Sequence, residues 1–300
     1  MKINLNSRQK HGLLLMCLNL LRRSPALGLL ALGALFALFY FLEMTDNQDV
    51  AAEPQAEIMA AQVMRAPDGD TTIGTGNLTN DSFNKAKQRL FNQVYHDHRI
   101  TVYCAASYDE RGNIALPEGF TTTKYKNRAE RIEWEHIVPA ENFGRIFSEW
   151  REGSPACVDS KGNLFKGRKC AGKANLDYRY MEADMHNLAP AIGAVNAARS
   201  NYNFILLPEA INSFGTCPMK IEGNRVEPPE SARGIIARTY LYMQSVYPRY
   251  QMGRPQNRQM QAWDRMYSPD AWECTRARRI EAIQGNRNNI TETRCSEVGL

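Results

Sequence analysis

The chain has 300 residues, of which 43% are hydrophobic and 23% are charged. This length excludes a single small domain and an assembly of more than two domains, and the composition is that of an ordinary soluble globular protein. The net charge of +5 is unevenly distributed, because residues 1–25 carry +5 and residues 43–82 carry −7, which leaves +7 on residues 83–300. A basic body suits a polyanionic ligand, such as a nucleic acid or an anionic lipid headgroup.

An uncharged segment at residues 26–42 dominates the N-terminal region. As a helix it spans roughly 25 Å at about 1.5 Å per residue, which is enough for a slightly thinned bilayer. Because the basic flank at 1–25 stays in the cytoplasm, this segment predicts a transmembrane signal anchor with the rest of the chain in the periplasm. We expect an exported protein, anchored in the inner membrane, or secreted if it is cleaved near residues 50–52. The acidic residues 43–82 predict a flexible linker.

The cysteines indicate disulfides. One of the seven, Cys17, precedes the apolar segment, and the other six lie in the exported body. An even number there indicates three disulfides, although six cysteines allow about 15 connectivities. The sequence has no cysteine and histidine spacing typical of a zinc site. Loop length favours the pairs Cys157–Cys170 and Cys274–Cys295, which leaves Cys104 for Cys217.

The body, residues 83–300, contains a series of helix and strand signals. A helix begins after residue 81 or 82, and its apolar face consists of Phe83, Ala86, Leu90 and Val94. Strands are expected at 101–104 and 131–138, followed by a short helix after Pro139 and a disulfide-closed loop at 145–176. Further helices are expected at 177–187, 190–200, 228–247, 257–267 and 270–284, the last ended by Gly285. These signals predict a mainly helical α+β fold in one domain.

The dipeptide Glu135–His136 at the second strand indicates catalysis. Phosphodiester hydrolysis needs a base for water, a cation on the phosphate and a group that neutralises developing charge. Neighbouring residues of a strand point to opposite sides, so the carboxylate can reach a metal ion while the imidazole faces water. Magnesium prefers oxygen ligands, and a second ligand is available in the segment 181–188 or at Asn196. Arg168 offers a guanidinium fork for phosphate.

Several motifs, in this order along the chain, resemble the bacterial endonuclease I family of periplasmic and secreted nucleases. They are Trp134-Glu-His-Ile-Val-Pro-Ala140, Phe143-Gly144, Met181-Glu-Ala-Asp-Met-His-Asn-Leu188, Ala232-Arg-Gly-Ile-Ile-Ala-Arg-Thr-Tyr240, Ala262-Trp-Asp-Arg-Met-Tyr267 and Trp272-Glu-Cys274. The resemblance extends from about residue 83 to residue 295 and implies a ββα-metal (His-Me finger) core. It also implies an endonuclease that depends on Mg²⁺, with Ca²⁺ or Mn²⁺ as alternatives. Such an enzyme cuts DNA and RNA without sequence specificity and leaves 5′-phosphate products.

The resemblance also implies roles for individual residues. His136 matches the general base of the family. Glu135 and Asn196 match its two magnesium ligands. Arg168 matches an arginine that holds the cleaved phosphate, and Glu182 lies near the site, where it supports catalysis.

The match is looser around the arginine, because Cys170 follows Lys169 without the usual intervening residue. Phosphate contacts are expected from basic residues in two parts of the chain. They are Lys166, Lys169, Arg233 and Arg238, although a solvated helix surface explains the last two equally well.

Two other functions fit parts of the sequence. A membrane-tethered DNA-binding or uptake module without catalysis would not need Glu135, His136 and Asn196 together. A metal-dependent hydrolase of another substrate, such as a peptidase, is disfavoured because the sequence has neither an H-E-x-x-H motif nor a G-x-S-x-G motif. We therefore expect a nuclease domain, and we expect this domain to be monomeric.

Overall fold

The structure, a computed structural model, describes residues 75–300. The basic flank, the apolar segment at 26–42, Cys17 and residues 43–74 of the expected linker lie outside the described residues. Within residues 75–300, no helix combines the length and the apolar character needed to cross a membrane. This region combines helices with small sheets, as the predicted α+β class requires, and it falls within one unit, Thr71–Leu300.

The folded body begins before Phe83, because the preceding residues pack against later parts of the chain. Asn77 is buried, and its side-chain nitrogen donates to the carbonyl of Tyr180 at 2.8 Å. The hydroxyl of Thr79 donates to the carbonyl of Gln284 at 2.6 Å. The expectation of a flexible linker up to residue 82 is therefore wrong for residues 77–80, whose polar side chains bond to backbone groups of the body.

The first helix forms as the sequence predicts. Ser82 caps it by accepting a hydrogen bond from the backbone nitrogen of Lys85, and α1 then spans Phe83–Arg89. A π-helical turn, Leu90–Val94, continues α1. Its buried face matches the predicted apolar positions, except that Phe83 is only half-buried.

The segment 101–104 forms a turn instead of the predicted strand. The backbone nitrogen of Thr101 donates to the carbonyl of Ala106, and the Thr101 hydroxyl accepts from the backbone nitrogen of Ala106, both at 2.9 Å. This local closure uses groups that a strand partner would need. The neighbouring hairpin is formed instead by β1 (Ser107–Tyr108) and β2 (Ile114–Ala115).

The remaining helices largely follow the predicted order, with shifted ends. They are α2 (Ala140–Gly144), α3 (Ser148–Arg151), α4 (Arg168–Ala174), α5 (Leu176–Glu182), α6 (Gly193–Arg199), α7 (Glu230–Val246), α8 (Arg254–Met266), α9 (Ala271–Gln284) and α10 (Asn289–Glu297). The remaining strands are β3 (Ile132–His136), β4 (Leu188–Ile192), β5 (Asn203–Phe204), β6 (Lys220–Glu222) and β7 (Arg225–Glu227). In the sheet of the last three, β7 lies between β5 and β6. The helices α3 and α4 lie in the segment 145–176, which was expected to be a loop, and α10 was not expected from the sequence either.

The strand pair β3–β4 and the helix α6 form a β–β–α unit. β3 runs antiparallel to β4, with Trp134 opposite Pro190, and α6 follows β4 directly. The helix expected at 190–200 therefore begins only at residue 193. All five residues of β4 are buried, so the strand lacks the apolar–polar alternation of a half-buried strand. A proline fits there because β4 has a strand neighbour on one side only.

Two apolar clusters fix the end of β3. The larger cluster includes Ile137 and Val138, just beyond the strand, together with buried aromatic residues of α5, α7 and α8. The smaller cluster joins α1 and its π-helical turn to α9, and Trp134 packs against it. The last residues of β3 therefore have cores on both sides, which hold them in one position.

The three disulfides have the predicted pairing. They are Cys104–Cys217, Cys157–Cys170 and Cys274–Cys295. The first closes a sequence separation of 113 residues, whereas the other two close 13 and 21 residues. A longer closed loop removes more conformational entropy from the unfolded chain, so the first bridge should stabilise the fold most.

Removing the long-range bridge with Cys104→Ala/Cys217→Ala is expected to lower the free energy of unfolding by about 4 to 5 kcal/mol. The matched variant Cys157→Ala/Cys170→Ala should lose about 3 kcal/mol, because its loop is much shorter. Guanidinium unfolding followed by tryptophan fluorescence measures both losses. Equal losses in the two variants would contradict the role of loop length.

His186 is a buried histidine in the 3₁₀ turn Met185–Asn187, and it serves the fold. Its Nε2–H donates to the carbonyl of Asn286 at 3.2 Å. Burial lowers the pKa of His186 to about 4, and the charge of Arg276 acts in the same direction. The imidazole is therefore neutral in the folded protein at neutral pH.

This histidine should make the stability depend on pH. The unfolded chain binds the proton near pH 6.5 and the folded chain only near pH 4, so stability falls as the pH drops between these values. The free energy of unfolding should lose about 2 to 3 kcal/mol through His186 between roughly pH 7.5 and 4.5. His186→Gln is expected to remove that part of the pH dependence. Urea unfolding at both pH values measures it, and an unchanged pH dependence in the variant would refute the assignment.

Candidate active site

The functional side chains of β3 lie on both sides of the strand, as the sequence predicts. Glu133 and Glu135 bond to side chains of α6. His136 instead contacts α1 and the end of α5. The strand therefore presents a base on one side and acids on the other.

His136 is held as a neutral imidazole. Its Nε2 lies 2.8 Å from the carbonyl oxygen of Glu182, and a carbonyl only accepts, so Nε2 carries the proton and Nδ1 the lone pair. The centroids of the His136 and Phe83 rings are 4.8 Å apart. Burial lowers the pKa of His136 to about 3, and the positive charge of Arg168 contributes in the same direction. The environment therefore keeps this base unprotonated at neutral pH.

Arg168 and Glu182 meet beside this histidine. The Nε of Arg168 donates to the Glu182 carboxylate at 2.6 Å, and the Tyr178 hydroxyl donates to the same oxygen at 3.1 Å. The Arg168 side chain is 46% exposed, and its guanidinium lies over the Phe83 ring at 5.3 Å. Glu182 thus orients the imidazole through its carbonyl and the guanidinium through its carboxylate. The three residues expected to act in catalysis lie together.

Glu135 belongs to a buried ion pair with α6. Its Oε1 accepts from Nη1 of Arg199 at 2.6 Å and from the Tyr103 hydroxyl at 2.7 Å. The side chains of Glu135 and Arg199 are 3% and 1% exposed. Burial is the largest effect on the pKa of Arg199 and lowers it, but Glu135, Tyr103 and Tyr240 together outweigh burial and raise this pKa. Burial also raises the pKa of the Glu135 carboxyl, against the charge of Arg199. The Arg199 guanidinium therefore stays charged inside the protein, where its charge favours the ionised form of Glu135.

Glu133 and Asn196 form a second contact between β3 and α6. The side-chain nitrogen of Asn196 donates to Oε2 of Glu133 at 2.8 Å. Residues two apart on a strand share a side, and residues three apart on a helix share a face. The Glu133–Asn196 and Glu135–Arg199 contacts are consequently neighbouring links between the same two elements. Glu135 and Asn196, the two expected metal ligands, lie on adjacent links.

These side chains fit a hard divalent cation. Tyr103 and Arg199 both bond to Oε1 of Glu135, and within the described region this leaves Oε2 for a cation. The Asn196 nitrogen is bonded to Glu133, so the amide oxygen points elsewhere and can serve as a ligand. Residues 75–300 contain no group of three or more His, Cys, Asp and Glu side chains placed to hold a metal ion. One carboxylate and one amide suit magnesium, which keeps several of its waters.

Of the expected phosphate contacts, the two lysines have suitable positions. Lys166 and Lys169 are exposed, and they flank Arg168 at the start of α4. Exposed cations next to Arg168 suit the phosphate contacts expected of these two lysines.

The two arginines of α7 are engaged within the body instead. Arg238 is buried and donates to both oxygens of Glu273 at 2.6 Å. Arg233 donates to Glu227 at 2.9 Å and to the Tyr267 hydroxyl at 3.0 Å. The expectation that Arg233 and Arg238 contact phosphates, and the alternative of a solvated helix surface, are corrected for this reason.

Comparison with known proteins gives the class of the protein. Residues 82–293 match the family Endonuclease I. This match covers more than half of the chain, so the protein is a nuclease, an enzyme that hydrolyses phosphodiester bonds. The chain belongs to the endonuclease I family, which confirms the resemblance seen in its motifs and removes the non-catalytic alternative.

Several relatives have similar sequences over most of their length. An extracellular deoxyribonuclease of Aeromonas hydrophila is 40% identical over 221 residues, which is 71% of this chain and 90% of the relative. A periplasmic deoxyribonuclease of the same organism is 41% identical over 71% of this chain and 86% of its own length. Endonuclease-1 of Buchnera aphidicola subsp. Acyrthosiphon pisum is 39% identical over 64% of this chain and 74% of its own length.

Some residues near the site were not identified as site residues from the sequence. Tyr103 and Arg199 bind the Glu135 carboxylate, and Phe83 lies over the imidazole. One signal could have found Arg199, because it follows Asn196 by three residues and so lies on the same helix face. Nothing local marks Tyr103, which reaches Glu135 through the turn at 101–104.

Arg199→Leu is expected to destabilise the protein by about 3 to 5 kcal/mol, because it leaves the buried Glu135 carboxylate without its cation. The matched control is Arg145→Ala, which removes an arginine that is 68% exposed and paired with Glu141. This control should lose at most about 1 kcal/mol. Urea unfolding measures both variants. Similar losses of unfolding free energy in the two variants would show that the buried pair contributes no more to stability than the surface pair does.

Proposed function

We propose that this chain is a magnesium-dependent endonuclease that cuts DNA and RNA without sequence specificity and leaves 5′-phosphate ends. The β–β–α unit of β3, β4 and α6 would be its His-Me finger core. The observation that carries this proposal is the neutral His136, fixed by the Glu182 carbonyl next to the half-exposed Arg168. Ca²⁺ or Mn²⁺ are the alternative metals.

His136 acts as the general base. With Nε2 bonded to the Glu182 carbonyl, Nδ1 takes a proton from the attacking water, and the imidazole becomes cationic as the phosphate gains charge. A positioned base of this kind contributes about 10² to 10⁴-fold to the rate. Burial keeps the imidazole neutral before the reaction, so it is ready to accept the proton.

Arg168 binds the phosphate that is cut. Its Nε is tied to Glu182, and the exposed remainder of the guanidinium offers further N–H donors to phosphate oxygens. Glu182 and Tyr178 hold the guanidinium near the imidazole before substrate arrives. This preorganisation places the charge where negative charge develops.

Glu135 and Asn196 would hold the metal ion through one carboxylate oxygen and one amide oxygen. A bound divalent cation polarises the phosphate and stabilises the leaving oxygen as a Lewis acid. Arg199 holds Glu135 in place, and its charge opposes the rise in the Glu135 pKa that burial causes.

DNA is the proposed main substrate, in line with the two relatives named deoxyribonucleases. Lys166 and Lys169 would contact the backbone, which carries no sequence information, and this accounts for the lack of sequence specificity. The resemblance to the family supports RNA as a further substrate. Binding through phosphates should weaken as salt rises. The nuclease domain is proposed to act as a monomer.

We propose that the nuclease domain acts outside the cytoplasm. The relatives are named extracellular and periplasmic, and three disulfides form most readily in an oxidising compartment. The apolar segment at 26–42 would anchor the chain in the inner membrane with the body in the periplasm, or the body would be secreted after cleavage.

His136→Ala and His136→Gln are both expected to lower cleavage of supercoiled plasmid by about 10² to 10⁴-fold. The Gln variant can still donate a hydrogen bond to the Glu182 carbonyl, so its loss reports the missing base and not a disturbed fold. DNA binding, measured by gel shift in excess chelator, should persist in both variants. The exposed His96, which lies at the end of the π-helical turn after α1, provides the control, because His96→Ala should cleave at the parental rate.

Chelation tests the metal in the same assay. Excess chelator should stop cleavage by the parental protein, and added Mg²⁺ should restore it. For the base, cleavage at the parental rate by both His136 variants would rule out the proposed role of His136. Full activity of the parental protein in chelator would rule out the metal.

A further inference from the structure

The orientation of the Asn196 side chain matters for any role as a metal ligand. An amide has one oxygen and one nitrogen, and only the oxygen can bind a cation. Rotation by half a turn about the last side-chain bond exchanges the two atoms. Asn196 is half-buried on α6, so a neighbour must decide which atom faces the ion.

Glu133 makes that choice through its charge. Its Oε2 accepts from the Asn196 nitrogen at 2.8 Å. A carboxylate offers acceptors only, so it attracts the amide nitrogen and repels the amide oxygen. The flipped amide would place two oxygens against each other, at the cost of one charge-assisted hydrogen bond.

Arg128 in turn holds the carboxylate of Glu133. The Nε of Arg128 donates to Oε1 at 2.6 Å, and its Nη2 donates to Oε2. The Glu133 side chain is 30% exposed, and without this two-point contact it would be free to turn into solvent. Arg128 therefore fixes the carboxylate of Glu133, and Glu133 in turn fixes the amide of Asn196.

The start of α6 is built to approach this carboxylate closely. Gly193 opens the helix, and a Cβ atom there would lie 2.5 Å from the Arg128 carbonyl oxygen and 2.9 Å from Oε1 of Glu133. Any larger residue would push the helix away from β3. Glycine thus allows the contact that brings Asn196 within hydrogen-bond distance of Glu133.

The geometry points to Glu133 as a positioning residue that turns the amide oxygen of Asn196 toward the metal ion. This inference rests on the proposed function, in which Asn196 is a ligand. Both oxygens of Glu133 are already bonded to Arg128, whereas Glu135 has one oxygen left for a cation in the described region. Glu133 therefore acts through Asn196 and does not bind the ion itself.

The test measures binding of Mn²⁺ to the full-length chain, with the free ion quantified by electron paramagnetic resonance. Glu133→Ala should raise the Kd for Mn²⁺ by about 10- to 100-fold, the usual effect of losing a partner that orients a ligand. Glu133→Asp should do nearly the same, because the shorter side chain keeps the charge but not the reach. The control, Glu130→Ala, removes an exposed carboxylate of the same charge and should leave the Kd unchanged.

Activity and stability add independent readouts. Cleavage by Glu133→Ala should fall at limiting Mn²⁺ and return close to the parental kcat at saturating Mn²⁺. Its melting temperature without metal should stay near the parental value, because Glu133 is partly exposed. A melting temperature that falls in both Glu133 variants, with an unchanged Kd, would assign the residue to the fold alone.

A double-mutant cycle separates positioning from direct binding. If Glu133 acts only through Asn196, then Glu133→Ala/Asn196→Ala should bind Mn²⁺ no more weakly than Asn196→Ala alone. Additive losses in the double variant would mean that Glu133 binds the ion itself, which would overturn the inference.

The cycle also distinguishes this inference from the proposed function. If Glu133→Ala keeps the parental Kd for Mn²⁺ while Asn196→Ala has a raised Kd, the positioning role is contradicted and the proposed ligand set is unaffected. A parental Kd in Asn196→Ala would remove the proposed ligand, and the positioning role with it.

Discussion

The buried guanidinium of Arg199 is the interaction on which the site depends. It bonds the Glu135 carboxylate, the carbonyl of His136 and the Tyr240 hydroxyl, and it lies over the Phe204 ring at 4.4 Å. A buried ion costs several kcal/mol unless acceptors of good geometry surround it. The fold can therefore keep this cation only by holding the end of β3 in one place. The same requirement fixes the proposed ligand Glu135 and the backbone of the proposed base.

Adjacent residues of β3 meet opposite electrostatic requirements. His136 must be neutral to accept a proton, and its side of the strand is buried and lies near the positive charge of Arg168. Glu135 must be ionised to bind a cation, and its side contains Arg199. Side chains of a strand alternate, so two neighbouring residues enter two environments without any special backbone geometry. Adjacent residues of a helix lie only about 100° apart around its axis, so a helix would separate the same pair less completely than a strand does.

The sequence predicted those features that depend on local pattern or on strong motifs. The helix at 228–247 is found at Glu230–Val246, Gly285 ends α9 with a positive φ of 83°, and the motifs correctly brought His136, Arg168 and Glu182 together. The helix predicted at 190–200 wrongly included residues 190–192 of β4, because full burial removes the alternation that identifies a strand. The pairing of β4 with β3 depends on partners more than fifty residues away, which local pattern cannot supply.

The basic charge of the body was a poorer guide, because some of its arginines support the fold. Arg238 neutralises Glu273 in the interior, and Arg276 donates to the Tyr95 hydroxyl and to three backbone carbonyls near β4. A guanidinium has five donors in a fixed plane, so it can bond several carbonyls where no secondary structure reaches them. Such cations make no contact with a polyanion, although they count in the net charge. The exposed cations around Arg168, and not the total charge, should therefore determine how strongly this protein binds phosphates. Only cations that contact phosphates release the counterions that favour binding.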